Sequence, residues 1–172
     1  SMKHLHRLMV TSATYRMSTS SASSNEKTVQ TDLENAYYWR RRPVRMESQI
    51  VRDSLLHLAG ALDTKSGGPT IDPKQDLTVL RRSIYFTHSR DSKHPVLSMF
   101  DDADIQQCYR RSESIVPQQA LAMANSKLSL SMSRRLAKRL GEELGQVDDA
   151  AFVVAAYQTI LAVAPDVREK SA

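Results

Sequence analysis

Residues 40–69, RRRPVRMESQIVRDSLLHLAGALDTKSGGP, constrain this chain more than any other stretch. Pro43 has no amide hydrogen and its ring clashes inside a helix, so a helix must begin after it. Gly67-Gly68-Pro69 stops the unit with a turn. Between these limits the spacing predicts one amphipathic helix, from about Val44 to Leu62. Val51, Leu55, Leu58 and Leu62 fall on one side of the wheel with Ala59 beside them, and Gln49, Asp53 and His57 fall on the other. The first set is the expected core. Arg40, Arg41, Arg42 and Arg45 form the densest positive cluster of the chain at the entry to this helix.

At 172 residues, with 41% hydrophobic and 25% charged residues, the chain has the length and composition of one globular domain, residues 1–172. Only five glycines favour helices over a many-turned β architecture. The expected fold is mostly α, a single helical domain with at most a small two-stranded β element. The longest apolar run is far short of the ~20 residues of a membrane span, and the N-terminus has no secretory leader pattern. Ser1-Met2 reads as a cloning remnant, which makes the chain an expected piece of a longer protein. Its lack of targeting signals then says nothing about where the parent resides. Cys108 is the single cysteine and forms no internal disulfide. A net charge of +5 and a pI near 9.5 allow anionic partners without requiring them.

Met2 to Arg16 has helical spacing, with Leu5, Leu8 and Met9 on one side. Residues 18–28, rich in Ser and Thr, are too polar for core and form an expected flexible loop. Asp32 is an expected N-cap for a helix through Tyr37, Tyr38 and Trp39. Ser83 to Thr87, SIYFT, is the best strand candidate, with its only partner near Pro69 to Ile71. Val96 to Phe100 forms a helical turn ahead of Asp101, Asp102 and Asp104. A long helical region starts at Pro117 and breaks at Asn125-Ser126. Ser126 caps a second helix to Gly141, burying Leu128, Met132, Leu136 and Leu140. Asp148 caps the last helix, with Val153, Ala156, Tyr157 and Ile160 inward.

The short motifs also have a telling order. LHRLMVTSATYR (Leu5 to Arg16) precedes WRRRPVRMESQIVRDSLL (Trp39 to Leu56), then GALD and GGP, then RRSIY (Arg81 to Tyr85). FDDAD, Cys108 and PQQALAMANS (Pro117 to Ser126) follow. This arrangement, covering roughly Leu5 to Leu161, resembles the planctomycete-specific C-terminal domain of unknown function. That domain occurs in large planctomycete proteins, sometimes beside a cytochrome c-like module. Val116 stands where the family tends to have Thr before the proline. Leu161-Ala-Val-Ala-Pro165 lacks the family's usual Gly-Arg pair. The resemblance implies an extracytoplasmic bacterial parent and supplies no reaction or catalytic residue.

Each chemistry-bearing cluster has a structural counterpart reading. Arg40, Arg41, Arg42, Arg81, Arg82, Arg110 and Arg111 are candidate ligands for an anionic group; the favoured alternative is pairing with local acids that docks helices. At least one of Arg40 to Arg42 is expected to lie against the fold near Trp39 or Tyr38 and to meet Glu47, Asp53, Asp101 or Asp102. Lys127, Arg134, Arg135, Lys138 and Arg139 read as a solvated helix face rather than a nucleic-acid surface, since no base-reading motif accompanies them. His4, His6, His57, His88 and His94 lack metal-ligand spacing, and the acidic run lacks the glycine and glutamate of a calcium loop. No nucleophile elbow, phosphate loop or C-x-x-C-H haem motif is present. No catalytic residue, metal or cofactor is therefore assigned. Gln118 and Gln119 read as a clamp on a neighbouring loop. The leading expectation is a non-catalytic structural or interaction module that contacts other domains of its parent. The alternative is a domain lending arginines to an anionic-ligand or polysaccharide site.

Overall fold

The computed structural model describes residues 1–22, 24–107, 113–146 and 148–170. About half of the chain is helical, and no sheet forms among the described residues. The contacts separate into two compact units, residues 1–45 and 46–172. The expectations for Cys108, Arg110 and Arg111 lie outside the described residues.

In the unit 1–45, α1 (Met2–Thr11) is shorter than its spacing suggests, because Ser12 turns extended and ends it. Helix α2 (Glu26–Thr31) begins in the last three residues of the stretch 18–28 expected to be loop and runs beyond it, capped by the Asn25 side chain on the Lys27 N–H. Asp32 closes this helix instead of opening the next one. Its carboxylate accepts the Ala36 and Tyr37 N–H groups, both at 2.8 Å, and Trp39 Nε1 donates to its carbonyl. These bonds fold residues 32–39 into a loop, with Asn35 and Tyr38 left-handed at φ 55° and 56°. The helix expected through Tyr37 to Trp39 therefore does not form.

The unit 46–172 begins with α3 (Ser48–Leu58), which is narrower than Val44 to Leu62. Gly60, at φ 62°, turns the chain immediately beyond it. A 3-10 turn at Pro73–Gln75 and another at Ser83–Tyr85 follow, then α4 (Pro95–Met99) and α5 (Pro117–Asn125). Helix α6 (Lys127–Leu144), α7 (Asp149–Leu161) and α8 (Val167–Lys170) complete it. The expected strand at Ser83 to Thr87 is thus largely a 3-10 turn. Its expected neighbour is correct in position: Ile71 bridges Phe86 in parallel, and Asp63 bridges Arg81. The Asp53 carboxylate explains the difference. It binds both the N–H and the hydroxyl of Ser83, at 2.8 and 2.6 Å, and curls the backbone away from an extended path.

The buried side of α3 is not Val51, Leu55, Leu58 and Leu62, all of which are half-buried. It is Ser48, Arg52 and Leu56, one helical turn apart, with Ala59 just beyond. Leu56 and Ala59 join Leu128 and Met132 of α6 in the core, and Leu55 and Leu62 pack around them. Leu128, Met132, Leu136 and Leu140 are buried as the spacing predicts, and Ser126 caps α6 through the Ser129 N–H. Asp148 likewise caps α7 through Ala151. No residue of α7 is buried, and Ile160 is exposed. Gln119 is buried, and its amide donates to Met99 O and Ser114 Oγ, so it does clamp the loop before α5.

Candidate functional site

Arg52 assembles the site. Its side chain is fully buried and reaches the segment 76–83 with all its nitrogens. Nε donates to Asp76 Oδ1, Nη1 to Arg81 O at 2.9 Å, and Nη2 to Asp76 O and Val79 O at 3.1 Å each. The guanidinium carbon stands 4.7 Å from the Phe86 ring centroid. A planar fork with five donors suits three carbonyls and a carboxylate better than lysine would. The helix and a segment without regular structure are thereby fixed to one another.

His94 extends this network. It is buried, its Nδ1 accepts the Leu97 N–H and caps α4, and its Nε2 lies 3.2 Å from Asp76 Oδ1. That last contact is poorly aligned for a hydrogen bond. The ring meets Phe86 edge-on, with centroids 4.6 Å apart. Burial pushes the Asp76 carboxyl upward. The close approach of His94 and the hydrogen bond and charge of Arg52 outweigh burial and hold it below the ordinary aspartate value.

Above this network the polar face of α3 lines a cleft of about 650 Å³. Asp53 and His57 come from the helix, Arg82 and His88 from the far wall, and Asp102 from beyond α4. Asp53 holds Ser83 through Oδ1 and has Arg82 Nε 3.7 Å from Oδ2. Asp102 Oδ1 accepts the Gln49 amide at 2.6 Å and the Ala103 N–H at 2.8 Å. Its Oδ2 lies 3.5 Å from His88 Nδ1. A fixed carboxylate on one imidazole nitrogen orients that ring and directs its Nε2 away from the carboxylate. Ile50, Leu62 and Ile84 supply an apolar part of the lining.

The sequence-predicted arginines are not equivalent. Arg40, Arg41 and Arg42 belong to the unit 1–45. In place of the expected carboxylates, they donate to the backbone carbonyls of Thr19, Tyr15 and Glu34 respectively. Arg40 does lie over Trp39, at 5.2 Å, and Arg41 lies over Tyr15, at 4.2 Å. Carbonyls suffice here because Tyr15, Thr19 and Glu34 all lie outside the helices of this unit and their carbonyls have no helical partner. Arg81 stacks on Tyr85 at 4.0 Å and donates to Lys65 O and Gly67 O. Arg82, with its side chain 56% exposed, is the member of the set that lines the cleft. On α6, Lys138 and Arg139 pair with Glu142 and Glu143, and Arg135 donates to Gly60 O.

His88 enters the sequence reading only as a metal-ligand candidate, and His57 as that and as part of the polar helix face. Among the described residues no cluster of three His, Cys, Asp or Glu is placed to hold a metal ion. Nor is any helix among them long and apolar enough to cross a membrane. The family described as PSD1, protein of unknown function (DUF1553), matches residues 1–172. No curated protein and no solved structure matches the chain.

Proposed function

The chain belongs to the PSD1 family of unknown function, and from that premise we propose that it is a non-catalytic helical module that packs against other domains of a larger protein. Helix α7 carries this reading. Apart from Asp149, Gln158 and Thr159 its residues are all apolar or aromatic, yet none is buried. A helix apolar on every side ordinarily belongs inside a core. The neighbouring Leu161, Val163 and Val167 are exposed as well, at 58%, 56% and 84%. Residues 152–157 are half-buried, and the exposed apolar group Ile160, Leu161, Val163 and Val167 beyond them is of the kind that marks a protein–protein contact. An extracytoplasmic, planctomycete parent is part of the proposal and is supported by the order of the sequence motifs.

The test is amide hydrogen exchange on the 172-residue chain alone and on the longer natural protein that contains it. The module reading expects α7 amides to slow at least tenfold in the longer protein while those of α6 change little. Identical α7 exchange in both would remove the reading.

A further inference from the structure

We propose that the cleft between α3 and the segment 82–88 binds a small ligand through an oxyanion: a carboxylate, sulfate or phosphate group. The argument rests on which polar groups of the cleft are already engaged. Both oxygens of Asp53 have partners, Ser83 on one side and Arg82 on the other. Both oxygens of Asp102 do too, with Gln49 and Ala103 on Oδ1 and His88 near Oδ2. Glu47, the remaining acid of the lining, has an interaction of its own. The carboxylates of the cleft therefore each hold a neighbouring group in place.

The donors are in the opposite state. Arg82 meets Asp53 at 3.7 Å through Nε, and its Nη1 and Nη2 make no hydrogen bond among the described residues. That pair is the fork which grips a carboxylate, sulfate or phosphate in bidentate fashion. His88 faces Asp102 with Nδ1, so its Nε2 points elsewhere and donates to an anion only in the imidazolium form. His57 is exposed in the last turn of α3, and its side chain has no hydrogen-bond partner among the described residues. The Arg82 fork and two imidazoles thus share one cleft. Ile50, Leu62 and Ile84 add apolar contact for the body of an organic acid. The fixed Arg52 network below keeps both walls in register, so the site is preformed.

The test is a titration of the 172-residue chain with inorganic sulfate, inorganic phosphate and benzoate, with ionic strength held constant by chloride. The readout is the ¹H–¹³C imidazole spectrum of the five histidines. His57 and His88 should shift saturably with at least one of the three, while His4 and His6, on α1, stay nearly still. The tightest of the three identifies the preferred oxyanion. Arg82→Gln should weaken binding about tenfold or more, the size of one lost charge-assisted contact. Arg82→Lys should recover only part of it, because the fork is lost. His57→Gln, at an exposed position that does not endanger folding, should weaken it about threefold. The proposal is overturned if His57 and His88 merely follow His4 and His6 with all three anions, or if Arg82→Gln titrates like the parent. The module reading would survive either result, since it depends on α7 and not on this cleft.

Discussion

Arg52 and the run Arg40 to Arg42 show two ways in which a fold uses the same side chain. Arg52 is fully buried, binds a carboxylate and three backbone carbonyls, and lies against an aromatic ring. Arg40 to Arg42 lie at or near the surface, donate to carbonyls and, for two of them, cover an aromatic ring. Local charge density singles out the run, whereas burial and an ionised partner single out Arg52. The difference lies in what water can replace. Solvent can satisfy the carbonyls near Arg42 if its side chain is cut away. It cannot readily reach Asp76 or the carbonyls around Arg52.

This contrast is broken most directly by truncation. Arg52→Ala should cost about 3–5 kcal/mol in urea melts, because Asp76 and three carbonyls lose their donor in a buried place. A loss below about 1 kcal/mol would mean that water takes over the role. Leu56→Ala comes next, at roughly 2–5 kcal/mol for a residue with no exposure. Leu55→Ala, half-buried, should cost about half as much. Equal losses would restore the buried face that simple periodicity assigns to α3.

Asp76→Asn sharpens the comparison through pH. At neutral pH the loss should be about 2–3 kcal/mol, the worth of hydrogen bonds to a charged group. The folded carboxyl titrates below its ordinary value of 3.8. Its stabilisation is therefore complete above that value and fades as pH falls through the lower folded value. The gap between parent and Asp76→Asn should stay constant from pH 7 to about 5 and narrow below about pH 4. A gap independent of pH down to acid unfolding would show that the charge of Asp76 is unimportant. The smallest effects belong to the surface run. Arg40→Ala, Arg41→Ala and Arg42→Ala should each change stability by about 1 kcal/mol or less, and a loss above about 3 kcal/mol at any of them would erase the distinction.

Local chemistry made part of this fold legible. Ser126 and Asp148 cap their helices through their own side chains, and the α6 core residues recur every four positions. Such signals depend only on neighbours in sequence. The misread places depend on distant partners. Arg52 counts as polar in any hydropathy pattern, so the wheel turned α3 toward Val51, Leu55, Leu58 and Leu62. The Asp76 carboxylate and the carbonyls of segment 76–81 make an arginine tolerable at the centre. SIYF has strand composition, but Asp53 binds Ser83 and shapes a 3-10 turn. The cleft was legible in fragments. Arg82 stood among the anion candidates and Asp53 and His57 on a polar helix face, but nothing in the order of residues joins them to His88. Their meeting depends on the Arg52 bonds.

A double-mutant cycle of Arg52→Met and Asp76→Asn, measured by urea unfolding at pH 7, addresses the buried network most directly. If the pair forms the pivot of the unit 46–172, the two losses should fall short of additivity by about 1–3 kcal/mol, as for residues in one network. Losses that add to within about 0.3 kcal/mol would contradict it, because the two side chains would then stabilise the fold independently.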